Sequence, residues 1–359
     1  MTNQPAVRPA GLGVIVVVAT AALVAGLAVW LIDRSGGSGH RLPEKFVYQI
    51  DKYKQIDPGL LAYEEVFCFD SGLKDASAVA IGLEDRIFAA GDRSIRIFDS
   101  RGGRLAAIEL AARPSCLAVA PADHPQAGRV FVGLGDQIGV FSGEGQPLAS
   151  WPPLGEKAIL TSIALAEADV FAADAGQARV HRLSLEGDVL GAIGGQRGGR
   201  GWAPFAVPSP FFDVAMHPDG WLRVVNPGAL RVEAYSFEGN LQLFWGEGGA
   251  RIDGFFGCCN PANIAVLPDG RFVTAEKGLV RVKIYSADGQ FESVVAGPET
   301  FGAAAGAVNE SLSDHEYTAV DVAVDGKGRV VVLDLTTAKI HGFQTKAGSG
   351  ESEAADGSR

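Results

Sequence analysis

The sequence predicts an all-β fold, a six-bladed β-propeller preceded by one N-terminal transmembrane helix. Three observations lead to this fold class. A pattern of short strands and tight turns recurs six times along the chain. The 359 residues include 47 glycines but only 8% aromatic residues, which indicates many turns and small side chains around a crowded axis. An uncharged apolar run near the N-terminus has the length of a membrane span.

Each repeat has the strand pattern of one propeller blade. It begins with a short apolar strand around an alanine, and a tight turn such as His-Pro-Asp-Gly at 217–220 leads into a β-branched strand. A third strand alternates with period two, and a fourth strand follows a glycine turn. Four short antiparallel strands are typical of a blade, and small residues suit innermost strands because these converge on the axis. The central alanines are Ala80, Ala118, Ala164, Ala215, Ala265 and Ala323.

The sixth repeat lacks its outer strand, because a polar tail follows Phe343. We expect segment 46–50 or segment 62–69 to supply that strand, which would close the ring between the two ends of the chain and protect the sheet edges. Residues 45–345 are therefore assigned to one propeller domain, and residues 346–359 to a disordered tail.

The N-terminal segment is expected to anchor the protein in the inner or plasma membrane. Residues 11–32 carry no charge and supply the roughly 20 residues needed to cross a hydrocarbon core. A cleaved signal peptide is the alternative. Residues 1–10 form a short tail before this span, and residues 33–44 form a flexible linker after it. Lysine and arginine are more frequent after the span, which opposes export, but by analogy with other signal-anchor proteins we expect an extracytoplasmic, periplasmic propeller.

The repeats resemble those of the NHL-repeat family. The third copy, from Ser162 through Val-Phe-Ala-Ala-Asp at 170–174 to Gly195, is similar to that repeat nearly throughout, and the resemblance extends over residues 45–345. The Gly-Cys-Cys-Asn-Pro segment at 257–261 is also similar to an uncharacterised, membrane-anchored bacterial group. The resemblance implies a six-bladed propeller but no particular activity, because propellers serve in binding, scaffolding and catalysis alike.

Two adjacent cysteines, Cys258 and Cys259, are the least ordinary feature of the chain. A structural disulfide is the preferred interpretation, either between these neighbours or from one of them to Cys116 or Cys68. Four cysteines permit two bridges in an oxidising compartment. Reduced thiols that bind metal or act in redox chemistry are the alternative, although the sequence has no C-x-x-C spacing and no histidine near the pair.

Polar residues are expected at one mouth of the axial channel, two positions before each central alanine. Asp213, Asn263 and Asp321 are the candidate metal ligands among them, because carboxylate and amide oxygens suit Ca²⁺ or another divalent cation. The preferred interpretation is that they line a water-filled channel or bond the free backbone of the inner strands. The full set is Ala78, Cys116, Ser162, Asp213, Asn263 and Asp321.

A second recurring position lies at the end of each second strand. Acceptors at such positions commonly bind backbone N–H groups of nearby turns, so a structural role is expected. Glu276, followed by Lys277, departs from the pattern. The residues are Asp92, Asp136, Asp174, Asn226, Glu276 and Asp334.

We expect a binding or scaffold module rather than an enzyme, because the six histidines are too few and too scattered for a nucleophilic triad and the sequence has no G-x-S-x-G, Walker or dinucleotide motif. A net charge of −11 argues against nucleic acid as a partner. We expect a protein or small ligand on the top face. The alternatives are a lactonase-like, metal-dependent hydrolase or lyase with its cation in the axial channel, and a redox accessory that uses the adjacent cysteines. Aromatic residues concentrate in binding hot spots, although here they equally suit packing of loops against blades. The candidate binding residues are Phe205, Phe211, Phe212, Phe255, Phe256 and Asn260.

Overall fold

The computed structural model describes residues 51–194, 205–301 and 319–347, which form six four-stranded antiparallel sheets. This confirms the all-β six-bladed propeller. Within these ranges, no helix is long and apolar enough to cross a membrane. The predicted span at 11–32 and its flanking tail and linker lie outside the described residues, as does most of the predicted C-terminal tail.

The strands of the first five blades follow chain order from the innermost to the outermost. Strand β1 (Tyr63–Asp70) precedes them and belongs to the last blade. Blades 1 and 2 consist of β2 (Ala76–Ile81), β3 (Ile87–Gly91), β4 (Ser94–Phe98), β5 (Arg104–Glu109), β6 (Cys116–Val119), β7 (Val130–Leu134), β8 (Gln137–Phe141) and β9 (Pro147–Ser150). Blades 3 to 5 consist of β10 (Leu160–Leu165), β11 (Asp169–Asp174), β12 (Arg179–Ser184), β13 (Val189–Gly194), β14 (Val214–Met216), β15 (Leu222–Asn226), β16 (Arg231–Tyr235), β17 (Leu241–Trp245), β18 (Asn263–Val266), β19 (Phe272–Ala275), β20 (Val282–Tyr285) and β21 (Phe291–Ala296).

Helical structure in the described ranges is limited to short turns. They are α1 (Asp51–Lys54) and the 3-10 turns Pro58–Leu60, Leu83–Asp85 and Pro227–Ala229.

The sixth blade joins the two ends of the propeller. It contains β22 (Val320–Val324), β23 (Val330–Asp334) and β24 (Lys339–Thr345), and β1 pairs antiparallel with β24 as its outermost strand. The prediction that segment 62–69 closes the ring is therefore confirmed. Because β1 pairs with β24, the outer edge of β24 is covered rather than left unpaired.

The hydrophobic core lies between the blades. Six buried clusters are present, and each joins residues of two neighbouring blades. Between blades 3 and 4, for example, the fully buried Phe171 packs against Val214, and its ring centroid lies 4.8 Å from that of Phe237. Removing such a ring costs about 3–5 kcal/mol of unfolding free energy, so packing between the blades contributes substantially to stability.

In four of the six blades, the acceptor at the end of the second strand bonds the segment that enters the blade, in keeping with the expected structural role. In blade 3, Asp174 Oδ1 accepts a hydrogen bond from the backbone N–H of Ile159, at 3.0 Å, just before β10. The same contact recurs in three other blades. Its donor–acceptor pairs are Asp75 to Asp92, Ala206 to Asn226, and Phe256 to Glu276. In blades 1, 3, 4 and 5, a residue at the end of the second strand thus positions the segment that enters its own blade.

Candidate functional site

The innermost strands surround an axial cavity of about 460 Å³. Each innermost strand contacts the innermost strands on both sides, so the ring around the cavity is closed. All six central alanines line this cavity, as the repeat pattern predicted. Small side chains at these positions leave room along the axis, because any larger residue would fill the space where the strands converge.

The polar residues predicted at one mouth of the channel line the same cavity. Their polar atoms bond the inner strand of the next blade. Asp213 Oδ2 accepts from Ile264 N at 2.6 Å, and Asp321 Oδ2 accepts from Val79 N at 2.7 Å. These bonds match the preferred interpretation, in which the mouth residues satisfy free backbone groups of inner strands.

Asn263 and Ser162 extend this pattern around the mouth. The side-chain amide of Asn263 donates to Val320 O at 2.7 Å, and Ser162 Oγ accepts from Val214 N at 3.3 Å. A side chain of each of blades 3 to 6 therefore bonds the backbone of the following blade. The predicted cation ligands Asp213, Asn263 and Asp321 share one cavity, but all three already bond neighbouring strands, and the bound ion stays a prediction.

Burial inside the channel changes the acidity of both carboxyl groups at the mouth. It raises the pKa of Asp213 to about 6. Burial, together with the nearby charge of Asp213, raises the pKa of Asp321 to about 7. A partly protonated carboxyl pair therefore faces the cavity near neutral pH, and it can both donate and accept hydrogen bonds.

All four cysteines are free thiols. The Cys258 and Cys259 sulfurs lie 3.5 Å apart, well beyond the roughly 2.05 Å of a disulfide bond. Cys116 is buried in the channel wall, where burial raises the pKa of its thiol to about 12, and Cys68 is exposed on β1. The predicted structural disulfide is therefore not supported, because neither the adjacent pair nor the two separate cysteines are joined.

The adjacent thiols lie beside Lys277, close to the channel mouth. Lys277 is buried and its ammonium group lies 4.9 Å above the ring of Phe211, which lines the cavity. Burial alone would raise the pKa of the Cys259 thiol. Hydrogen bonds with Lys277 and Cys258 and the charge of Lys277 outweigh burial and hold this pKa below its ordinary value. The neighbouring Cys259 raises the pKa of Cys258.

Asn260 holds the loop that carries the two thiols. It is buried, and its side-chain amide donates to Phe256 O at 2.6 Å. Its Oδ1 accepts from the backbone N–H of Lys277 at 2.9 Å. Asn260 therefore ties the thiol loop to the segment that carries Lys277, and its polar atoms are occupied within the protein.

A buried cluster of charged side chains also holds the loop that carries the two thiols. Glu276 Oε2 lies 2.6 Å from Arg281 Nη2, and Lys283 Nζ lies 2.5 Å from Glu276 Oε1 in an ion pair that lacks hydrogen-bond alignment. Lys283 also donates to Gly254 O at 2.8 Å. Burial lowers the pKa of Lys283 to about 8. We name Glu276, Arg281 and Lys283 the blade 5 ion cluster.

The candidate aromatic residues separate into two groups. Phe205, Phe212 and Phe255 are buried within the clusters between blades, so they pack loop against blade. Phe211 is half-buried and lines the cavity, and Phe256 is half-buried with its ring centroid 5.6 Å from that of Tyr53. Phe211 and Phe256 are the candidates that remain accessible to a ligand or partner.

Sequence reasoning missed two charged groups. Arg281 immediately precedes the third strand of blade 5 and Lys283 lies on it, yet both are buried. The alternating basic residues beside the unusual Glu276 were the available signal. Glu65, Cys68 and His341 also come together, with potential ligand atoms within 4.8 Å of one another. Glu65 and Cys68 lie on β1 and His341 lies on β24, far apart in sequence, and the pairing of these two strands brings them together.

No family model and no curated protein matches the chain. Among solved structures, a streptogramin B lyase shares 13% identity at a TM-score of 0.53, covering 79% of this chain and 97% of that chain. Virginiamycin B lyase from Staphylococcus aureus shares 10% identity at a TM-score of 0.53, covering 79% and 100%. A Bacteroides thetaiotaomicron protein of unknown function shares 13% at a TM-score of 0.52, covering 80% and 72%. These similarities establish the propeller fold alone, and membership of the NHL-repeat family stays a prediction.

Proposed function

We propose that this protein is a membrane-anchored, extracytoplasmic propeller that binds a ligand at the mouth of its axial channel. The observation that carries the proposal is the cavity of about 460 Å³, which falls in the range of roughly 300–1,000 Å³ typical of ligand sites. Its wall is lined by apolar residues, among them the six central alanines, and its mouth presents polar groups. Such sites bury an apolar body and orient it through a few hydrogen bonds.

The groups at the mouth suggest the chemistry of the ligand. Asp213 and Asp321 supply a carboxyl pair, and Phe211 supplies a half-buried aromatic face. An amine or hydroxyl group would bond the carboxyl pair while an apolar portion enters the channel or packs on Phe211. We therefore propose a compact ligand, or a protruding side chain of a protein partner, that has an apolar body and a donor group.

The proposal is tested by filling the cavity. Fragment molecules with an amine and an apolar ring would be screened against the detergent-solubilised full chain by ligand-observed NMR. Ala118→Leu is expected to abolish binding of these fragments, because Ala118 lines the cavity. Ala149→Leu, on the exposed outer strand of blade 2, is the matched control and is expected to retain binding. Equal binding to both variants, each with a wild-type melting temperature, would place the ligand site elsewhere.

A metal-dependent hydrolase or lyase is the second candidate function. Two of the structurally similar proteins are B lyases, and two carboxyl groups line the cavity here. Asp213, Asn263 and Asp321 would hold the cation, which would polarise a substrate carbonyl as a Lewis acid. Native mass spectrometry with added Ca²⁺ tests this candidate. It requires one bound ion per chain that is lost in Asp321→Asn, and no specific binding at millimolar Ca²⁺ would eliminate it.

A further inference from the structure

The two adjacent thiols are accessible and close to each other. Cys258 is exposed and Cys259 is half-buried, and their sulfurs lie 3.5 Å apart. To form a bond, the two sulfurs would have to approach each other by roughly 1.5 Å. An external reactant can reach this pair of thiols, unlike Cys116, which is buried in the channel wall.

A buried cation distinguishes the two thiols. Lys277 is 5% exposed and hydrogen-bonds the Cys259 sulfur. A neighbouring lysine favours the thiolate, which is the nucleophilic form of cysteine. Cys258 has no comparable cationic bond, since its strongest interaction is with Cys259. The site therefore assigns different roles to the two sulfurs.

The loop is held so that this arrangement persists. Asn260, next to Cys259, bonds both the N–H and the carbonyl of Lys277. The N–H of Phe256 donates to Glu276 Oε2 at 3.0 Å, which links the loop to the blade 5 ion cluster. Lys277 and Cys259 are therefore held by the same set of contacts, and their relative position is set before a reactant binds.

We propose that Cys258 and Cys259 form a thiol–disulfide exchange site whose substrate is an accessible disulfide bond. The Cys259 thiolate attacks one sulfur of the external disulfide, forms a mixed disulfide with it and expels the other sulfur as a thiolate. Cys258 then loses its proton and attacks Cys259 Sγ, which expels the second thiolate and joins Cys258 to Cys259. Two protein thiols are oxidised, one external disulfide is reduced to two thiols, and the released thiolates take up protons from Cys258 and solvent.

Metal binding by the same thiols fits the site less well. The positive charge of Lys277 beside Cys259 opposes a second cation at that sulfur. Among the described residues, the group of side chains close enough to hold a metal is Glu65, Cys68 and His341 on blade 6. Lys277 therefore favours a nucleophilic thiolate at Cys259. In the part of the chain that the structure describes, no group of potential metal ligands includes the two thiols.

The test uses the full chain in detergent, with its thiols reduced and the reductant then removed. A Cys68→Ser background removes the other exposed thiol. Dithiobis-nitrobenzoate is the probe disulfide, and the release of its coloured thiolate is followed by stopped flow at neutral pH. With one equivalent of probe per chain, we expect two equivalents of coloured thiolate, and peptide mapping should find Cys258 joined to Cys259. Release of one equivalent, with a persistent mixed disulfide in the otherwise intact chain, would overturn the proposal.

Single variants separate the roles of the two sulfurs. Cys258→Ser is expected to stop at a mixed disulfide on Cys259, and Cys259→Ser to react about tenfold more slowly at neutral pH. Lys277→Gln should slow the first step by a similar factor at neutral pH and approach the wild-type rate at high pH, where either thiol ionises. Equal rates for both cysteine variants, at folded-state melting temperatures, would show two ordinary thiols. This outcome is independent of ligand binding in the channel, which the Ala118→Leu experiment measures.

Discussion

Blades 2 and 5 differ in the segments that lead into their innermost strands. In blade 2 the connection is short, since β5 ends at Glu109 and β6 begins at Cys116. In blade 5 it is long, since β17 ends at Trp245 and β18 begins at Asn263. The long segment carries the thiol pair. The ring of inner strands is nearly regular, so the chemical differences between blades lie in these connections.

The difference also affects how each connection is held. In blade 3, Asp174 bonds the entering segment directly at Ile159. In blade 5, the equivalent position is Glu276, whose longer side chain bonds the entering segment at Phe256 and also contacts the buried Arg281 and Lys283. A repeated structural acceptor has thus become the centre of a buried ion cluster where the loop to be supported is longer.

The largest expected effect comes from breaking this support. Glu276→Gln would leave Arg281 and Lys283 buried without a compensating charge, and both are at most 1% exposed. Removing one partner of a buried ion pair costs about 3–5 kcal/mol. We expect the unfolding free energy, measured by urea denaturation of the full chain, to fall by this amount.

Asp92→Asn in blade 1 is the matched comparison. Asp92 accepts from the backbone N–H groups of Lys74 and Asp75 at an exposed turn, without a buried cation. Its loss is expected to cost about 1 kcal/mol. Equal costs for Asp92→Asn and Glu276→Gln would show that the blade 5 ion cluster adds nothing to the ordinary turn contact.

The sequence predicted the features that repeat in every blade better than those that occur only in blade 5. The six alanines, the segment that closes blade 6 and the acceptors that anchor entering loops all follow from repetition, because each copy supports the assignment of the others. Burial of Arg281 and Lys283 depends on carbonyl groups of a distant loop, such as Gly254 O, and a local pattern does not encode such contacts. The disulfide expectation failed for a similar reason, since cysteine number does not fix distance.

A smaller effect is expected at the channel mouth, where pH rather than a broken contact weakens the fold. The folded-state pKa of Asp321 is about 7, above its ordinary value of 3.8. Well below pH 3.8 the carboxyl is protonated in both the folded and the unfolded state and carries no penalty. As pH rises towards 7, the unfolded chain releases this proton first, so stability falls. We expect a loss of about 2 kcal/mol between pH 5 and pH 8 from this group.

Denaturation of Asp321→Asn at both pH values isolates this contribution. The variant should lose less stability on going from pH 5 to pH 8 than the wild type does, while other titrating groups contribute equally to both proteins. Added Ca²⁺ gives a further comparison, because a cation bound at the mouth would stabilise the ionised carboxyl and flatten the wild-type pH dependence. An identical pH dependence in the two proteins would mean that Asp321 titrates normally.

The smallest expected effect compares two cation–aromatic contacts. Lys277 lies over Phe211 at the mouth, and Arg231 lies over Phe244, 4.4 Å from its centroid, on the outer face of blade 4. Phe211→Leu and Phe244→Leu should each lower the unfolding free energy by about 0.5–1 kcal/mol. Only Phe211→Leu should also slow alkylation of Cys259 at neutral pH, because its ring helps to hold the Lys277 ammonium group near the sulfur. If both variants leave the alkylation rate unchanged, the position of Lys277 depends on the blade 5 support and Asn260 alone, and the channel mouth and the thiol pair function as separate sites.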